Sequence, residues 1–157
     1  MKEALVARLR GAAGVSAICG TYNSRPAIDW VKRAPVLPSV MLRTDDIGRI
    51  YAHDSNLSLH NPQLEINCYG KTFGEAKVLA RAVVTELEAE ASALGIDFDE
   101  GFLIGERSQT PVKLPSGQMV YSVRLDLSLW YDDSGFLQLQ TGDFLLMQSG
   151  FEVVLNG

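Results

Sequence analysis

The amino-acid sequence predicts an α+β fold: a mainly antiparallel sheet of about four strands, packed by a long amphipathic helix and an N-terminal helix, with a C-terminal β arm. Three observations predict it. From Met119 to Tyr131, Tyr121, Val123, Leu125, Leu127 and Leu129 alternate with Ser122, Arg124, Asp126 and Ser128, the period of a half-buried strand. From Thr72 to Leu94 the apolar residues step by three or four, the period of a helix with one buried face. Strand and helix patterns follow one another in a single stretch of ordinary domain length, so the apolar face of the sheet has helices to cover it.

In chain order, Lys2 to Arg10 predicts a helix, with Leu5 and Leu9 four apart and Gly11 and Gly14 ending the pattern. Val15 to Cys19 extends it as a short second turn. Thr21 to Pro38 reads as loop with room for a short strand, rich in Pro and cations. Leu37 to Thr44 is the first clear strand; a proline near its start is compatible with a strand beginning or an edge. Asp45 to Asn61 reads as a long loop, because Asp45, Asp46, Gly48, Asp54 and Asn56 are turn formers.

Gln63 to Tyr69 is the second strand. Leu64, Ile66 and Cys68 share one face, and Glu65 and Asn67 share the other. Leu57 and Leu59 have the opposite parity, which predicts a bulge near Asn61 and Pro62 that resets the register. Thr72 and Glu75 stand at capping-box spacing before the helix, which Gly95 ends. Glu86, Glu88 and Glu90 crowd its last turns, a solvated face in a place the helix dipole disfavours for anions. Asp97 to Gly101 reads as an acidic turn, without the ligand run of a calcium loop. Phe102 to Gln109 is the third strand, Pro111 to Gln118 a hairpin tip, and Met119 to Tyr131 the fourth strand. Residues 1–133 form the α+β domain. Residues 134–157 are an extension, in which Phe144 to Met147 and Phe151 to Leu155 are short apolar runs suited to a hairpin, or to an arm that pairs with another subunit's sheet edge.

Composition narrows the function. The chain is 46% hydrophobic with a net charge of −5. Residues 1–84 carry eleven Lys and Arg against seven Asp and Glu, and the remainder carries three against twelve. Such a balance is poor for gripping nucleic acid through phosphates; it reads first as ordinary acidic solubility and second as the lining of a passage through which DNA slides without sticking. A mean hydropathy of +0.05 hints at apolar surface covered by partners. Cys19 and Cys68 fit no metal or redox spacing and read as buried thiols in a reducing cytosol. No apolar stretch approaches the length of a membrane span. Glu3 and Arg8 interrupt any leader-like apolar stretch before Cys19, so secretion is not expected.

Catalytic motifs are missing. There is no nucleophile elbow, phosphate loop or dinucleotide fingerprint. His53 and His60 lie in the 45–61 segment without a matching ligand cluster, and the adjacent Asp45 and Asp46 read as solvated turn residues.

The ordered set of elements closely resembles the tail-completion (tail-terminator) family of long-tailed phages. The resemblance is carried by Ala4 to Leu9 in the first helix; by Leu37, Pro38 and Val40; by Gln63 to Tyr69 running into Phe73 to Ala76 and Ala80 to Ala82; and by Tyr121 to Trp130. It spans about residues 2–131, and the tail from Phe136 onward departs from the usual family end. It implies an α+β subunit that assembles into a ring, generally a hexamer. Such a ring caps the tail tube, stops its polymerisation and offers a docking surface to the head connector, with DNA passing through the lumen without specific binding. It implies a virion protein assembled in the host cytoplasm, with no catalytic activity, no cofactor and no metal. On this reading the outward strand face (Arg124, Asp126, Trp130) and the extension (Phe144, Leu146, Phe151, Val153) supply subunit contacts. In the alternative for Trp130, it packs under the extension within its own chain. Asp45, Asp46, Arg49 and Asp54 belong to a lumen or docking loop. The rivals are another neck component, or a small-molecule-binding or enzymatic domain using the 45–61 segment and its histidines.

Overall fold

The computed structural model describes residues 1–44, 49–52 and 55–132, without the side chains of 49–52 and 55–58. The predicted extension, including Phe144, Leu146, Phe151 and Val153, lies outside the described residues.

Helix α1 (Lys2–Gly11) leads into the single turn α2 (Ala13–Ser16). A small hairpin follows, β1 (Thr21–Tyr22) and β2 (Arg25–Pro26), turning through Asn23 and Ser24 at φ 51° and 60°. Strand β3 (Ile28–Trp30) then runs parallel to β4 (Ser39–Thr44). Strands β5 (Arg49–Ala52) and β6 (Ser55–His60) form a hairpin where a long loop was expected, because the Asp, Asn and Gly turn signals mask two short strands. Strand β7 (Gln63–Gly70) precedes helix α3 (Phe73–Leu87), and β8 (Ala91–Ala93), β9 (Ile96–Lys113) and β10 (Met119–Asp132) complete the fold. Among the described residues the main sheet therefore has eight strands rather than about four.

Strand β10 is its centre, with β9 along one edge and β7, then β6, along the other. The register against β10 is unchanged from Tyr121–Gly70 through Asp132–Leu59, so nothing is reset at Asn61 and Pro62. Leu59 therefore stays on the face opposite Leu64 and Ile66, and His60 takes the core-face position. It is buried and stacked on Tyr131 at a 4.7 Å centroid distance.

Helix α3 begins as its capping box predicts. Thr72 Oγ1 accepts from the Glu75 amide at 3.2 Å, while the Glu75 carboxylate accepts from the Lys71 amide at 2.8 Å, one residue earlier than the usual pattern. The helix is shorter than the apolar stripe suggested. Leu94 and Gly95, at φ 50° and 76°, form a two-residue turn that folds 91–93 back onto β9. The supposed acidic turn at 97–101 is part of β9, which continues past 109 and leaves a tip of only Leu114 to Gln118. At three irregularities β9 carries one residue more than β10, and each such bulge breaks the alternation.

The core lies between this sheet and the helices. Val40, Leu42, Leu64, Ile66, Cys68, Val123, Leu125, Leu127 and Leu129 bury against Leu5, Leu9, Leu79, Val83 and Leu87. Helix α1 touches β3 on one side and β8 on the other. Arg8 joins it to the end of α3, donating to Glu86 Oε1 at 3.2 Å and to the Glu86 and Ala89 carbonyls. Helix α3 sits so low on the sheet that a Cβ on Gly101 would lie 2.6 Å from the Leu87 carbonyl oxygen. Gly101→Ala is therefore expected to cost about 2–3 kcal/mol, since the obstacle is backbone. Urea unfolding measures it; an unchanged midpoint would mean that the helix end is free to lift.

Candidate assembly interface

The face of the sheet turned away from the helices is built by the same alternation that fills the core. Leu125, Leu127 and Leu129 face inward, so Arg124, Asp126, Ser128 and Trp130 face outward, each partly exposed. Registered neighbours bring further charges alongside. Asp126 pairs with Glu65, which pairs with Arg43, and Arg124 stands between Asn67 and Arg107.

Distances join Arg124, Glu65, Asp126, Asn67 and Arg107 in one network, with the Ser128–Asn61 pair separate from it. Arg124 Nη1 lies 3.0 Å from Glu65 Oε2, and Arg124 Nε donates to Asp126 Oδ1 at 2.9 Å. Asn67 Nδ2 donates to Glu65 Oε1 at 2.7 Å. Arg107 reaches Asp126 Oδ2 more loosely, at 3.9 Å. Ser128 Oγ donates to Asn61 Oδ1 at 2.6 Å. Arg124, Asp126, Glu65, Arg107 and Asn61 border a groove of about 610 Å³ that also touches Arg43 and Ile104. Pairs this exposed contribute little to stability, at most about 1 kcal/mol each. What they provide is orientation: planar guanidinium and carboxylate groups held at fixed angles for polar contact with a second surface.

A second cluster closes the edge of β3. Arg10 donates to the Ile28 carbonyl and to Asp29 Oδ1 at 3.0 Å, and Arg25 lies 3.6 Å from the same carboxylate oxygen. Burial and then Arg25 pull the Arg10 guanidinium below its usual value, and Asp29 opposes them. The ammonium of Lys2 sits 5.6 Å from the Trp30 ring centre.

The structure brings Arg124, Asp126 and Trp130 onto one face as predicted. Arg49 lies in β5 with its side chain outside the described atoms, and Asp45, Asp46 and Asp54 lie outside the described residues. Glu65 and Arg107 complete the network and Arg43 borders its groove; none of the three was singled out from the sequence. Glu65 had a signal, its parity opposite to Leu64 and Ile66; Arg43 and Arg107 arrive only through long-range register. His60 is a core residue, which removes it from any solvent-facing site shared with His53. Among the described residues no three His, Cys, Asp or Glu side chains gather as metal ligands, and no helix is long and apolar enough to cross a membrane.

A family model described as "Tail completion protein gp17" matches residues 3–132. No curated protein matches the chain. Among solved structures, a chain of the "Virion of native gene transfer agent (GTA) particle" is similar at 16% identity and a TM-score of 0.60, over 84% of this chain and 94% of that one. At that identity the likeness is one of fold.

Proposed function

This chain belongs to the tail completion protein gp17 family of phage tail structural proteins and is a virion component, and we propose that copies of it assemble into a ring, a hexamer by the family resemblance, that caps the tail tube. The ring ends tube polymerisation and presents a docking surface to the head connector. The subunit acts through shape, without catalysis or cofactor. Its partners are further copies of itself, the tube protein and the connector. It assembles in the host cytoplasm, and DNA passes through its lumen without specific binding.

The observation that carries this reading is the outward sheet face. Its charges are ordered by the fold yet partly exposed, and Trp130 stands on the same strand beside them. Arginine and tryptophan are the residues that anchor protein interfaces, and a closed ring needs one surface that meets a different surface on the next copy. Residues 134–157, with Phe144, Leu146, Phe151 and Val153, supply a further contact. Asp45, Asp46, Arg49 and Asp54 border the lumen, where an acidic majority repels the DNA backbone.

Two full-length variants test the interface. Arg124→Glu and Trp130→Ala are expected to keep the fold, with a stability loss of about 1 kcal/mol for the charge change. Both are expected to shift the mass in light scattering from the ring toward the single chain. Variants that assemble like the parent would remove this face from the contact. At the particle level, loss of the protein is expected to give tails of uncontrolled length. Normal tails lacking heads would instead identify a joining component elsewhere in the neck.

A further inference from the structure

Strand β9 has two edges, and the fold uses them unequally. One is paired with β10 from Asp97 to Lys113. Along the other, β8 covers only Ile96 to Phe98. From Asp99 to Lys113 that edge has no strand beside it among the described residues, a length of roughly 50 Å if fully extended. It is also apolar in places: Phe102, Ile104 and Val112 are 57%, 58% and 60% exposed. The β3 edge contrasts with this, because α1 lies against it and Arg10 takes up the Ile28 carbonyl. Uncovered strand edges with apolar side chains invite another strand, and proteins ordinarily cover them.

We propose that this β9 edge receives residues 151–155 of the adjacent copy as an added strand. The proposal rests on the ring reading and names what its C-terminal contact seats on. Strand β10 ends at Asp132, beside Asp97 and Leu59, and the chain runs on to Gly157. The eighteen residues from Asp133 to Gly150 can span up to about 60 Å, enough to leave one subunit and reach the next. Phe151, Val153 and Leu155 alternate with Glu152 and Val154, so one side of the added strand is apolar throughout. That side can cover Phe102 and Ile104 while the backbone pairs with β9. The same chain's own β9 is less accessible to its arm, because β10 ends where β8 already occupies the edge. The arm would have to round β8 and enter parallel to β9.

Two full-length variants, each with one added cysteine, test this, one Ile104→Cys and the other Val153→Cys. Each chain carries one new thiol, so a disulfide between the two variants is necessarily intermolecular. The native thiols stay out of the reaction, since burial pushes Cys19 up to about 11 and Cys68 higher still. Mixed and oxidised, the two variants are expected to cross-link at least tenfold more than either alone. A full-length chain carrying Val153→Asp is expected to assemble at least tenfold more weakly. Assembly of the parent ring without the mixed cross-link would sink the strand addition and leave the ring intact. So would a disulfide that forms only within a chain bearing both cysteines. A parent chain that stays single at every concentration, with tail tube present, would sink the ring and the strand addition together.

Discussion

Arg8→Ala is expected to lower stability by about 3–4 kcal/mol, roughly 10 °C in the unfolding midpoint of a chain this size. The Arg8 side chain is 2% exposed and lies 3.2 Å from Glu86 Oε1. Its guanidinium also binds the Glu86 and Ala89 carbonyls and sits 5.5 Å from the Phe98 ring centre. The last carbonyls of a helix have no partners inside it. At the end of α3, a cation from another helix supplies a donor to the Glu86 carbonyl and reaches that of Ala89 just beyond the helix. Glu86 is also an anion at the negative end of the helix dipole, and Arg8 is its counter-charge. Alanine removes the donors and leaves these acceptors under α1 with a void beside Phe98. Arg8→Lys is expected to recover only part of the loss, because one ammonium cannot copy the planar fork. Thermal unfolding monitored by circular dichroism reads both changes. A loss below about 1 kcal/mol for alanine would show that water reaches those carbonyls and that α1 stays docked by its leucines alone.

Leu125→Ala is the second large effect, expected at about 3–4 kcal/mol. Leu125 is fully buried and pairs with Ile66 on β7 and with Glu106 on β9. The core beneath α3 closes around it, so truncation leaves a cavity that a sheet paired on both sides cannot collapse into. Arg124, its immediate neighbour, faces the other way. Arg124→Ala is expected to cost at most about 1 kcal/mol, because its side chain is 36% exposed and its ion pairs are screened. Urea titration of the two variants compares one strand's two faces. Equal losses would contradict the assignment of one face to the core and the other to assembly.

The parts of the fold that were legible in the sequence are those whose two sides differ. Strand β10 has helices on one side and a polar surface on the other, so Val123 to Leu129 alternate cleanly with Arg124 to Ser128. The same holds for Leu64, Ile66 and Cys68 in β7. Strand β9 was only half legible. Its bulges break the period, and from Phe102 onward nearly every side chain is exposed, so apolar and polar residues carry no positional information. The 91–93 strand was hidden because Ala91, Ser92 and Ala93 fit a helix equally well. Its turn also needs Leu94 in a left-handed conformation that leucine rarely adopts. His60 looked like a loop residue by its chemistry, and only an unbroken register through Asn61 and Pro62 puts it in the core. At the candidate interface Arg124, Asp126 and Trp130 could be grouped because they share one strand. Arg43 and Arg107 could not, because pairing across the sheet brings them there.

The docking of α1 sets an order of events during synthesis. Its residues leave the ribosome well before the end of α3, since Arg8 is 78 residues away from Glu86 and 81 from Ala89. At bacterial elongation rates that interval is about 4–16 seconds. Throughout it Leu5 and Leu9, both fully buried in the finished subunit, have β3 beside their helix but not yet the β8 and β10 surfaces that complete the core around them. Until then part of the apolar face of α1 stays uncovered, and its final docking waits for the second half of the described chain.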